Sequence, residues 1–170
     1  MRRRYGVRRR GVRTVLVVVT AAVTATVGCG GPKPKQDQLI GVRMESGRVV
    51  VRTGMCHDER LHAIRVKVFP GTDKVEVRPR EGRSATDKVD LGDPPPGWTS
   101  HGALAEGVVA DKRYTVEVAR DRTLSVTVPG DVLLGLPVGT WAAGGWDWDY
   151  KLMNTKEFEK RRKASCPDGP

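Results

Sequence analysis

The chain has 170 residues, with 30 Lys and Arg against 20 Asp and Glu and a formal charge of +10. That length suffices to bury one core and is short for two domains. Seven of the arginines (Arg2, Arg3, Arg4, Arg8, Arg9, Arg10 and Arg13) precede the first acid, and beyond residue 28 the balance is 23 to 20, or +3. The high charge is therefore an N-terminal address and not a nucleic-acid footprint.

An apolar run, Thr14 to Val27, follows the arginines and ends at Gly28 and Cys29. Basic, then apolar, then small is the order of a secretory signal. The run is 14 residues long and carries Thr20, Thr24 and Thr26. A bilayer-spanning helix needs roughly 20 apolar residues. Residues 1–28 are expected to be a signal peptide, 29–39 a tether containing the Gly/Pro/Lys stretch Gly30 to Lys35, and 40–170 a β-rich extracytoplasmic domain.

Thr26-Val27-Gly28-Cys29 resembles a lipobox, the tetrapeptide recognised by lipoprotein-processing enzymes. The resemblance implies a diacylglyceryl group on the Cys29 thiol and cleavage between Gly28 and Cys29. Thr26 stands where that motif usually has Leu, Val or Ile. One acyl chain holds a protein marginally, whereas two or more, at about 0.8 kcal/mol per buried CH₂, hold it stably. The alternative is an incidental cysteine beside an ordinary cleavage site. Arg9-Arg10-Gly11-Val12 resembles a twin-arginine signal weakly, with Arg13 where that pattern prefers an apolar residue, so both export routes stay open.

With Cys29 acylated, two of the three cysteines remain, Cys56 and Cys166. An even remainder in an oxidising compartment is expected to form one bridge. It would pin the C-terminal tail to an early strand, a closure on the order of 4 to 5 kcal/mol.

Period-two alternation runs through the rest of the chain. Val42 and Met44, then Val49 and Val51, flank Ser46-Gly47 as a hairpin would. Ile64, Val66 and Val68 lead to Pro70-Gly71, and Val75 and Val77 follow. Tyr114, Val116 and Val118 precede Asp121-Arg122, and Leu124, Val126 and Val128 stop at Pro129-Gly130. One apolar and one polar face per strand predicts antiparallel sheets packed on one side, as a sandwich or a partly open barrel. Glu81 to His101, with Pro94-Pro95-Pro96-Gly97, is expected to be a long connection, since consecutive prolines lack the amide donors a central strand needs. Asn154 with Glu157 forms a capping-box pattern, and Met153 with Phe158 a hydrophobic staple. A helix from about Thr155 to Ala164 is predicted, with Lys160-Arg161-Arg162-Lys163 in its last turn, where cations favour the dipole.

The layout of Cys56, Trp146 to Tyr150, Glu157-Phe158 and Cys166-Pro167 resembles that of small lipoproteins of high-GC Gram-positive bacteria. It covers most of the mature chain and supplies a setting, with no activity to carry over.

Three constellations are candidates for chemistry. Trp146, Trp148 and Tyr150 alternate with Asp147 and Asp149, so in a strand the rings would share one face. Exposed, they would stack on a cell-wall glycan; turned inward, they would be core. His57, Asp58, Glu59 and His62 could hold a metal, yet His57 and His62 are five apart, which suits neither a helix face nor a strand face, and a solvated loop is favoured. Ser100-His101 is adjacent in sequence and no Gly-x-Ser-x-Gly occurs, so no hydrolase site is expected. The sequence thus leads to a lipoprotein held at the outer face of the cell membrane, with a binding or envelope-structural role. It carries no catalytic motif, cofactor or metal, and its partners would be the membrane and a cell-wall glycan or envelope protein; nucleic acid is not expected.

Overall fold

The computed structural model describes residues 38–56, 59–72, 74–82, 84–104, 107–145 and 149–166. All belong to one compact unit, Lys33–Pro170. The alternating segments form two antiparallel hairpins as the sequence predicts. β1 (Ile40–Glu45) and β2 (Arg48–Arg52) join through Ser46-Gly47, where φ is 50° and 77°, the positive pair that a two-residue hairpin turn needs. β3 (Ala63–Phe69) and β4 (Lys74–Pro79) pair with Ile64 opposite Val77 and Val66 opposite Val75.

The Glu81–His101 connection holds more than a crossing. β5 (Lys88–Asp90) pairs with β2, and β6 (Trp98–His101) pairs with β4, so the segment gives each sheet an edge strand. Pro94–Pro96 lie between the two and join neither. β7 (Arg113–Ala119) and β8 (Thr123–Pro129) make a further hairpin. A short helix, α1 (Gly130–Gly135), then carries the chain to β9 (Thr140–Gly144), and β10 (Lys151–Asn154) leads into α2 (Thr155–Ser165). The first sheet runs β10-β9-β1-β2-β5 and the second β6-β4-β3-β7-β8. The architecture is a β-sandwich and not a closed barrel.

The sandwich core explains the pairing. Ile40, Val42, Val49 and Val51 from the first sheet meet Ile64, Val66, Val77, Val116, Val118, Leu124 and Val126 from the second, all buried. Each such side chain contributes about 1.5–3 kcal/mol. A one-residue slip of β8 would expose Leu124, Val126 and Val128 and bury Ser125 and Thr127, so hydrophobicity fixes the register. On the second sheet's outer face the polar set pairs across strands: Arg65 with Glu76 at 3.0 Å, Lys67 with Glu117 at 2.5 Å, and Thr115 with Thr127 at 2.9 Å.

The two lateral margins of the sandwich differ. On one side β8 approaches the end of β9, where the Ser125 amide donates to the Gly145 carbonyl at 3.3 Å. A Cβ on Gly144 would stand 2.6 Å from Val126 Cγ2, so a side chain there would part the sheets. On the other side the edge strands β5 and β6 are not hydrogen-bonded to each other.

A third layer lies on the first sheet's outer face. Val50, Trp141, Ala143, Met153 and Phe158 form a second buried cluster, with the Trp141 and Phe158 rings stacked at 5.6 Å. Phe158 can reach the sheet because residue 41 is glycine: a Cβ there would be 2.9 Å from the ring. The predicted cap forms, with the Glu157 amide donating to Asn154 Oδ1 at 2.8 Å, and both staple residues are buried. An isolated helix of 11 residues is marginal. Packing of Phe158 against Trp141 and Met153 holds this one, and the Cys56–Cys166 bridge, with Cα atoms 5.4 Å apart, links its end to the segment after β2. Among the described residues no helix is long and apolar enough to cross a membrane.

Candidate functional site

A cleft of about 340 Å³ opens beside the β1–β2 hairpin, between Leu91-Gly92 at the end of β5 and Ser100 of β6. Val49, Val75 and Leu91 are its buried apolar floor, and Leu104 and Val108 from the following loop pack over the core beside them. Four glycines, Gly47, Gly92, Gly102 and Gly107, keep its walls low. Arg48 stands on the rim, where Asp90 Oδ2 at 3.1 Å and Asp93 Oδ2 at 3.6 Å already neutralise it. The cleft therefore offers apolar contact with a polar, charge-balanced lip, and its size falls within the range of small-ligand pockets.

The opposite end of the sandwich holds a buried ionic knot. Arg120, at the end of β7, is 5 % exposed. Its Nη1 donates to Glu59 Oε2 at 2.8 Å and to the Gly54 carbonyl at 3.2 Å, and its Nη2 to Gln38 Oε1 at 3.4 Å. Glu59 also accepts from Gln38 Nε2 at 2.7 Å and from the Cys56 amide at 2.9 Å. Burial lowers the Arg120 pKa, and the charges of Glu59, Asp121 and Asp87 oppose that shift. The arrangement has the form of a structural clamp, since it fastens Gln38 to the segment that carries the bridge.

A third polar group lies near the hairpin end of the first sheet. Burial tends to raise the Glu45 carboxyl, but hydrogen bonds from Lys88 and Arg43 and their charges outweigh it and hold the pKa below 4.5. Arg43 also lies over the Trp141 ring, 4.2 Å from its centroid, and Arg52 pairs with Glu159 of α2.

The structure places the sequence candidates as follows. Cys56 and Cys166 are bridged. Cys29, His57, Asp58, Trp146 and Trp148 lie outside the described residues. Tyr150 is half-buried, packed against the main core, and Asp149 and Tyr150 precede β10 instead of lying in a strand. Glu59 is engaged by Arg120, and His62 Nδ1 lies 3.1 Å from the Gly82 carbonyl, so these two serve local structure. Among the described residues no group of three or more His, Cys, Asp or Glu could hold a metal ion. Ser100 lines the cleft, whereas neighbouring positions of β6 point to opposite faces, which separates it from His101.

Sequence reasoning missed the cleft, the Arg120 knot and the Trp141–Phe158 stack. Short strands with little alternation hid β5, β6 and β9. No local signal joins Gln38, Glu59 and Arg120, which lie up to 82 residues apart. By fold the protein is an antiparallel β-sandwich bearing one helix on an outer face. The chain matches no protein-family model, no curated protein and no solved structure.

Proposed function

We propose that the protein is an extracytoplasmic lipoprotein, anchored to the outer face of the cell membrane through acylated Cys29, whose sandwich domain serves a binding or envelope-structural role. The observation that carries this is the Cys56–Cys166 bridge. It consumes two of three cysteines, and the third is the one that ends an arginine-rich, apolar, small-residue leader. Structural disulfides belong to oxidising compartments, and a leader of that order is how a chain reaches one. The binding role draws on the cleft between the end of β5 and β6, whose floor of Val49, Val75 and Leu91 suits a small moiety with an apolar face.

Growth with a clickable palmitate analogue tests the anchor. The wild-type chain takes up label and Cys29→Ser does not. An unlabelled wild-type chain, recovered in full from the medium, would overturn the proposal.

A further inference from the structure

The net charge of +3 beyond residue 28 is matched by that of a single helix. Helix α2 holds five cations, Lys156, Lys160, Arg161, Arg162 and Lys163, against Glu157 and Glu159, a net +3. The remaining 18 basic and 18 acidic residues beyond residue 28 cancel. The arginines of α2 are satisfied within the fold: Arg161 pairs with Glu157 at 2.9 Å and Arg162 with Glu159 at 3.0 Å. Lys156, Lys160 and Lys163 are exposed and make no ion pair among the described residues. Their i, i+4, i+7 spacing puts them within about 60° of one another and some 10 Å along the axis, opposite the buried Phe158 and Ser165. They form a lysine ridge facing straight away from the sandwich.

We propose that this ridge is a docking surface for an anionic phospholipid membrane, on which it lays the first sheet's helical face. The inference rests on the lipoprotein reading for its setting: the bilayer that Cys29 would enter is the surface the ridge meets. The geometry suits it. Residues 29–37 separate Cys29 from the described fold, a reach of at most about 30 Å. Gln38 is the first described residue, and the Arg120 knot joins it to Gly54 and Glu59, around Cys56. The bridge ties Cys56 to the C-terminal end of α2. Gln38 and the helix end thus share a corner, and α2, about 16 Å long, is shorter than the span that nine residues can cover. The ridge offers charge without apolar side chains, so contact is peripheral and salt-sensitive. Docked this way, the second sheet's polar face points away from the bilayer.

The test uses the processed protein as cells produce it, mixed with vesicles of phosphatidylcholine alone or with phosphatidylglycerol added. Amine acetylation is read by mass spectrometry, with exposed Lys74 as the internal reference. For an acylated chain, Lys156, Lys160 and Lys163 react at least fivefold more slowly on the anionic vesicles, and high salt removes the protection. Equal rates on both vesicles would overturn the ridge and leave the anchor standing. If the chain carries no acyl group, the anchor fails, and sedimentation decides the ridge. Salt-sensitive binding to anionic vesicles alone supports it; no binding, or equal binding to neutral vesicles, overturns it. At about fivefold per lysine near an anionic surface, the triple change K156Q/K160Q/K163Q weakens unanchored partitioning on the order of 100-fold.

Discussion

Removing the disulfide with the double change C56S/C166S should cost the domain a large share of its stability while leaving its native structure in place. The bridge spans a sequence separation of 110 residues. The chain-entropy relation for a loop of that length gives about 4.8 kcal/mol, set against total stabilities of roughly 5–15 kcal/mol for domains of this kind. The effect belongs to the unfolded ensemble, which the bridge keeps compact. Both cysteines are buried beside the Arg120 knot and the end of α2, and serine is close in size, so the folded state changes little. Urea unfolding followed by circular dichroism measures the effect. At a slope of about 2 kcal/mol per molar, the midpoint falls by about 2 M, and the slope itself rises as the unfolded chain expands. A midpoint change under about 0.4 M with an unchanged slope would refute the entropic argument. Early loss of α2 amide protection in a native variant would instead place the effect in the folded helix.

Other consequences follow from the outer layer and the knot. Phe158→Ala removes a fully buried ring from the Trp141 stack and should cost about 3–5 kcal/mol in the same urea assay. Gly41→Val should destabilise for the opposite reason, since its Cβ alone would meet the Phe158 ring at 2.9 Å; in the Phe158→Ala background the penalty shrinks, which a double-mutant cycle reads directly. Arg120→Met leaves the Glu59 carboxylate partly buried without its guanidinium and should cost about 3–5 kcal/mol; adding Glu59→Gln and recovering part of that loss would identify the unpaired charge as the cause. Glu45 is held below its ordinary pKa in the fold, so its contribution is present above about pH 4.5 and is lost as pH falls through the lower folded value. Glu45→Gln should therefore flatten the acid limb of a stability–pH profile and leave its neutral region nearly parallel to that of the wild type.

The sandwich was legible wherever burial is one-sided. β3, β4, β7 and β8 each place Val, Ile, Leu or Tyr on alternate positions, because one face meets the core and the other meets water. Helix α2 was legible from its cap, which is local chemistry, and its bridge from counting cysteines. β9 was not, because Trp141 and Ala143 are buried under α2 while Ala142 is buried in the main core, so both faces are covered and alternation vanishes. β5 and β6 were hidden by their length and by the prolines between them. α1 was hidden by Pro129-Gly130, which reads as a turn and is instead where the helix begins. The cleft was out of reach for a different reason. Its walls come from four separated segments, and nothing in any one of them marks a cavity.

The most direct test of the proposed lipoprotein is the intact mass of the mature protein taken from the membrane, with and without reduction and alkylation. The proposal predicts a chain that begins at Cys29, carries acyl groups, and offers two alkylatable thiols, Cys56 and Cys166, only after reduction. A chain beginning at Cys29 with an unmodified, alkylatable thiol before reduction would contradict it.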